Sequence, residues 1–97
     1  MIEQRKNQRF DLHLPFEILR DGPKDRLMGE TKNVSSAGVL FSTESPVGIG
    51  EAIEYLITFP KAPKARIPVK LHCVGKVLRE DQSAYAVSLE RYEFIRG

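Results

Sequence analysis

Apolar and polar residues alternate from Phe10 onward. Phe10, Leu12, Leu14, Phe16 and Ile18 are apolar, and Asp11, His13, Pro15 and Glu17 stand between them. A period of two over nine residues marks a half-buried strand, because successive strand side chains point to opposite faces. Pro15 has no amide hydrogen to give a ladder, so this strand lies at an edge or is interrupted there. Asp21-Gly-Pro-Lys24 reads as a turn. Arg26 to Val34 is a second, less regular strand with a candidate bulge at Gly29. A polar run, Asn33-Val-Ser-Ser-Ala-Gly38, leads to a short strand at Val39 to Ser42, and Glu44 to Gly50 is loop. Ile53, Tyr55, Ile57 and Phe59 alternate with Glu54, Leu56 and Thr58 in a fourth strand. After a basic, proline-bearing connection, Ile67, Val69, Leu71 and Cys73 continue the period, and Val77 resumes it beyond an expected bend at Gly75. Glu80 to Ser83 reads as a turn. Tyr85, Val87 and Leu89 form the inner face of the last strand, and Tyr92, Phe94 and Ile95 are expected to pack the chain end back onto the body.

No stretch carries long helical periodicity. Six or so strands joined by short turns predict an all-β, antiparallel barrel or sandwich. Closure into a barrel is attractive at 97 residues because it removes exposed edges. Residues 1–9 are polar and bury little apolar surface alone, so they read as a mobile N-terminal arm ahead of a barrel domain over 10–97. Arg5 and Arg9 are four apart, so a short helical turn would put both on one face; an unstructured arm fits equally.

Composition narrows the functions. A net charge of +2 is too small for the strongly basic face that duplex DNA requires. Cys73 is the single cysteine, and neither His13 nor His72 has ligand-like spacing with it, which argues against a structural zinc site. The N-terminus has no apolar core of signal-peptide length and no run approaches a membrane span, so a cytoplasmic protein without membrane insertion is expected. No Ser/His/Asp or Cys/His arrangement and no phosphate-binding helix start can be picked out, so no enzyme is expected. Gly48-Ile-Gly50 lacks the third glycine of a dinucleotide fingerprint, and a strand follows it where a helix is needed.

Two polar motifs remain. Arg5-x-x-x-Arg9 precedes the first strand, and Asn33-x-Ser35-x-x-Gly38 follows the second. In this order they resemble the two-part signature of the PilZ domain, RxxxR followed by (D/N)xSxxG. All five fixed positions match, with Asn at the first place of the second motif. The Pro46–Gly48 loop, the Gly75-Lys-Val77 step and the Ala86-Val-Ser-Leu89 strand also resemble that family's layout. PilZ domains are bacterial receptors for the second messenger cyclic di-GMP. The resemblance implies a six-stranded antiparallel β-barrel that binds cyclic di-GMP on its outer surface and needs no cofactor. It also implies that Arg5 and Arg9 clamp the nucleotide and that Asn33, Ser35 and Gly38 form the floor of the site.

The residue types suit that ligand. Arginine presents a planar, permanently charged fork of donors that fits phosphate oxygens and the O6/N7 edge of guanine, and its plane stacks on purines. Asn33 offers both a donor and an acceptor to a base edge. Ser35 can donate to a phosphate or bond the loop backbone. Gly38 leaves room for a base or shapes the turn. Ligand binding is expected to draw the arm across the barrel and order it, creating a surface for a downstream protein partner. The main alternative is a nucleotide-independent adaptor of the same fold, a class that usually lacks the arginines. A single-stranded nucleic-acid binder would interleave aromatics along a positive groove. Here Phe10, Phe16, Tyr55 and Phe59 fall in the apolar phase of their strands and are assigned to the core.

Overall fold

The computed structural model describes residues 9–19, 26–60 and 66–96. Among them are seven strands and no helix: β1 (Pro15–Leu19), β2 (Arg26–Val34), β3 (Gly38–Thr43), β4 (Ala52–Phe59), β5 (Val69–Asp81), β6 (Ala84–Ser88) and β7 (Arg91–Arg96). The expected turn at Asp21–Lys24 and the basic residues Lys61 and Lys64 lie outside the described residues. Every pairing is antiparallel, in the order β4-β1-β2-β3-β6-β5, and β5 returns to β4. These six strands form the closed barrel that the alternation and the family resemblance imply. β7 is an additional outer strand, bonded to β5.

Closure turns the apolar phase of each strand inward. Phe16, Phe41, Tyr55 and Ile57 are completely buried at the centre. The rings of Phe16 and Phe41 stack with centroids 4.2 Å apart, and Tyr55 lies 5.2 Å from Phe16. Each such side chain contributes about 1.5–3 kcal/mol through burial. The Tyr55 hydroxyl donates to the Ser88 carbonyl at 3.0 Å, so its polar end is satisfied where β6 ends. Desolvation raises the ionisation of this phenol far above its usual range. Cys73 is fully buried, and burial pushes its thiol from an ordinary 9.0 up to about 12. It is a small core residue rather than a nucleophile, as its apolar phase indicates.

Several expectations are corrected. β1 starts at Pro15 instead of Phe10, and Pro15 as first strand residue leaves no ladder bond unmade. Upstream, the chain is held by Thr31, a fully buried polar residue. Its amide donates to the Leu14 carbonyl, and its hydroxyl accepts from the Leu14 amide and donates to the Leu12 carbonyl. A side chain thus takes the place of a ladder bond, and the apolar phase fails with it: Leu14 is buried, but Phe10 and Leu12 are exposed. Phe10 is therefore not a core residue. The register shift in β2 lies at Lys32, not Gly29. β5 runs unbroken past Gly75. A Cβ there would sit 1.8 Å from the Ser88 carbonyl oxygen, so glycine permits β6 to cross closely where it leaves β5. The hairpin after β5 turns through Gln82 and Ser83, both at positive φ as a two-residue type I′ turn requires. Tyr92 and Phe94 do not pack back onto the body: β7 pairs with β5, but their rings remain open to solvent.

Candidate functional site

Two strand bulges flank one surface cleft. In β2, Thr31 pairs with Phe41 and both point into the core. Unbroken alternation would send Asn33 inward as well. Lys32 is an extra residue without an opposite number, and Asn33 pairs with Leu40 instead. The bulge rotates the Asn33 amide to the outer face, which is what an inserted strand residue does to the side chains after it. The same device recurs in β5. Val77 pairs with Val87 inside the barrel, Leu78 is extra, and Arg79 pairs with Ala86 on the outside. Asn33, Leu40, Ala86, Leu78 and Arg79 thereby face one cleft of about 210 Å³.

The loop between β2 and β3 forms its floor. The Ser35 amide donates to the Gly38 carbonyl at 2.9 Å. The Ser35 hydroxyl accepts from the amides of Ala37 and Gly38 at 3.2 Å and also lies 3.2 Å from the Gly38 carbonyl, to which it donates. Ser35 therefore shapes the loop, the second of the two roles open to it from sequence. The Leu89 amide donates to the Ala37 carbonyl at 2.9 Å and ties the loop to the end of β6. Gly38 is needed for close approach. A Cβ would stand 2.5 Å from the Val87 carbonyl oxygen, so any side chain would push β3 off β6 beneath the cleft.

Arg9 is delivered by the neighbouring bridge. The amide and carbonyl of Phe10 exchange 2.9 Å hydrogen bonds with the carbonyl and amide of Val34, one residue beyond Asn33. This fixes the chain beside the loop, and Arg9 borders the cleft. Four of the five motif residues, Arg9, Asn33, Ser35 and Gly38, thus come together. Arg5 and the rest of the arm lie outside the described residues. Among the described residues, no hydrogen bond or ion pair engages the Arg9 guanidinium or the Asn33 amide. Arg79 makes a 3.2 Å contact with Asp81, and both side chains are more than half exposed. Such an exposed pair holds its partners weakly and leaves most of the guanidinium donors unused.

Leu78, Arg79 and Asp81 were not assigned to the site from sequence. The available signal was phase: Arg79 falls on the inward register set by Cys73 and Val77, and a charge there points to a bulge. A larger hollow of about 490 Å³ lies elsewhere, lined by Ile18, Leu27, Val47 and Ile53 with the carboxylates Glu51 and Glu54. Both carboxylates are engaged, Glu51 by the Gly48 amide and Glu54 by His72. No cationic side chain lines it among the described residues, so it suits an anionic ligand less well despite its size.

Among the described residues no group of His, Cys, Asp or Glu could hold a metal ion, and no helix is long and apolar enough to cross a membrane. No curated protein matches the chain. The family model for the PilZ domain matches residues 3–94, nearly the whole sequence. The PilZ family consists in general of non-catalytic receptor domains for cyclic di-GMP, and it also includes adaptors. With a closed six-stranded barrel, an ordered pair of motifs and a family match over this length, the chain belongs to the PilZ domain family.

Proposed function

We propose that this protein is a cyclic di-GMP receptor and that the cleft between the two bulges is its binding site. The observation that carries this reading is the convergence on one cleft of Arg9 with the loop residues Asn33, Ser35 and Gly38, which are distant from it in sequence. Arg9 supplies a fork to a phosphate or to the O6/N7 edge of guanine. Asn33 reads a base edge, and Ser35 and Gly38 hold the floor in shape. Arg79 adds a second guanidinium on the opposite wall, suited to stacking on a base or to pairing with a phosphate. The cleft is smaller than the roughly 300–1,000 Å³ of ordinary ligand pockets. It therefore holds part of a dinucleotide, and Arg5 on the N-terminal arm completes the site. Ordering of residues 1–9 over the bound nucleotide is the output, read by a downstream protein partner in the bacterial cytoplasm.

Calorimetric titration of cyclic di-GMP, with GTP as control, tests the proposal. Saturable binding of the dinucleotide alone is expected, and its stoichiometry separates one bound ligand from a stacked pair. Absence of binding would overturn the receptor reading and leave a nucleotide-independent adaptor.

A further inference from the structure

The cleft contains one group that an anionic ligand would avoid. Among the described residues that line it, Arg9 and Arg79 are cations and Asp81 is the single anion. The bulge at Leu78 turns Arg79 outward, and pairing is regular beyond it, Arg79 with Ala86 and Asp81 with Ala84. Two residues apart on one strand, Arg79 and Asp81 share a face. Arg79 Nη1 donates to Asp81 Oδ2 at 3.2 Å, and the side chains are 56% and 53% exposed. Leu78 lines the same cleft and is 57% exposed, so an apolar surface stands beside the polar pair.

An ionised carboxylate is an acceptor only. Beside the phosphates of a dinucleotide, Asp81 opposes binding unless the ligand gives it hydrogens to accept. A ribose hydroxyl offers one. Guanine offers two side by side, N1–H and the 2-amino group, next to the O6 acceptor. Read in order, the protein pair presents a donor, the Arg79 guanidinium, and then two acceptors, the Asp81 oxygens. That order is complementary to the guanine edge and is the one in which cytosine faces it. Resting on the reading of the cleft as a cyclic di-GMP site, we infer that Arg79 and Asp81 together read this edge of one guanine, and that Asp81 sets the choice of guanine over adenine. Adenine reverses the pattern. Its 6-amino donor would meet the Arg79 donors, and its N1 lone pair would meet the carboxylate. Mismatched polar groups of this kind discriminate between bases more strongly than shape does.

Calorimetric titration of the full chain with cyclic di-GMP and with cyclic di-AMP tests this. Wild type is expected to favour the guanine ligand by at least about tenfold. Asp81→Asn keeps the size of the side chain but sets an amide donor against the guanine donors. It should lose at least about tenfold in affinity for cyclic di-GMP and nothing for cyclic di-AMP. Asp81→Ala should narrow the ratio in the same direction. Both variants should keep the wild-type far-ultraviolet spectrum, since Asp81 is exposed and its described side-chain partner is Arg79. If Asp81 merely restrains Arg79 or repels phosphate, its replacement raises affinity for both ligands together and leaves their ratio unchanged. That result, or a wild type that binds both ligands equally, would overturn the inference while the receptor reading stands. A wild type that binds neither ligand would overturn the receptor reading and this inference with it.

Discussion

The two sides of the barrel are built by different rules. Along β1, β4 and β5 the pairing runs without a shift, eight consecutive pairs between β4 and β5 alone. Outward polar residues there pair across the surface, Glu17 with Arg26 and Glu54 with His72. Along β2–β3 and β5–β6 the ladder is broken twice, at Lys32 and at Leu78. That wall gives up regular pairing and obtains two re-aimed side chains, Asn33 and Arg79, at a cleft. The regular wall supplies cohesion and an acidic hollow; the bulged wall supplies cationic and amide groups whose donors are largely unspent. The contrast teaches that in a small barrel the site sits where strand geometry is least ideal.

Removing a bulge is the severest way to break this contrast. Deletion of Lys32 should restore alternation, turn the Asn33 amide toward the core and lower cyclic di-GMP affinity at least about a hundredfold, roughly 2.8 kcal/mol. Calorimetry beside a thermal melt checks it, with a lower Tm also expected. Arg9→Ala should cost about tenfold or more in affinity, because charge-assisted hydrogen bonds contribute roughly 1.5–3 kcal/mol. Its Tm should not change, since nothing described in the fold leans on that side chain. Thr31→Val attacks the tether that brings Arg9 to the cleft. It strands the Leu14 amide and the Leu12 carbonyl and should lower stability by about 1–3 kcal/mol in urea unfolding. Arg79→Ala should weaken binding several-fold while leaving the acidic hollow and the fold untouched.

On the regular wall the sensitive variable is alkaline pH. The folded state holds the Cys73 thiol near 12 against an ordinary 9.0, so folding favours the protonated form. That contribution is complete below pH 9.0 and is lost as pH rises through about 12. Stability should fall across that window, and less so in Cys73→Ala. At pH 8 the native thiol should react slowly with a disulfide reagent and rapidly once urea unfolds the chain.

Most of the architecture was legible in the alternation. Apolar residues at every second position gave the strands from Ile53 to Phe59 and Leu71 to Val77, because burial on one face leaves that trace, whereas Arg26 to Val34 was legible only as a less regular strand. The trace misled at Phe10 and Leu12, where Thr31 substitutes a side-chain bond for a ladder bond. At β7 it suggested packing of Tyr92 and Phe94 onto the body instead of an outer strand, because these aromatics occupy an inner phase with no barrel behind them. At the site, the motif residues were readable as residue types, but their meeting depends on two extra residues that a periodic pattern cannot display directly. Polar side chains in an inward phase, Asn33 after Thr31 and Arg79 after Val77, were the available warning.

The most direct test of the central claim is an amide NMR titration with cyclic di-GMP, because it reports every strand at once. The account predicts the largest shifts at Asn33–Gly38, at Leu78–Asp81 and at Ala86, with little change along Val47–Glu54. Shifts concentrated at Val47–Glu54, with the bulged wall unmoved, would contradict it.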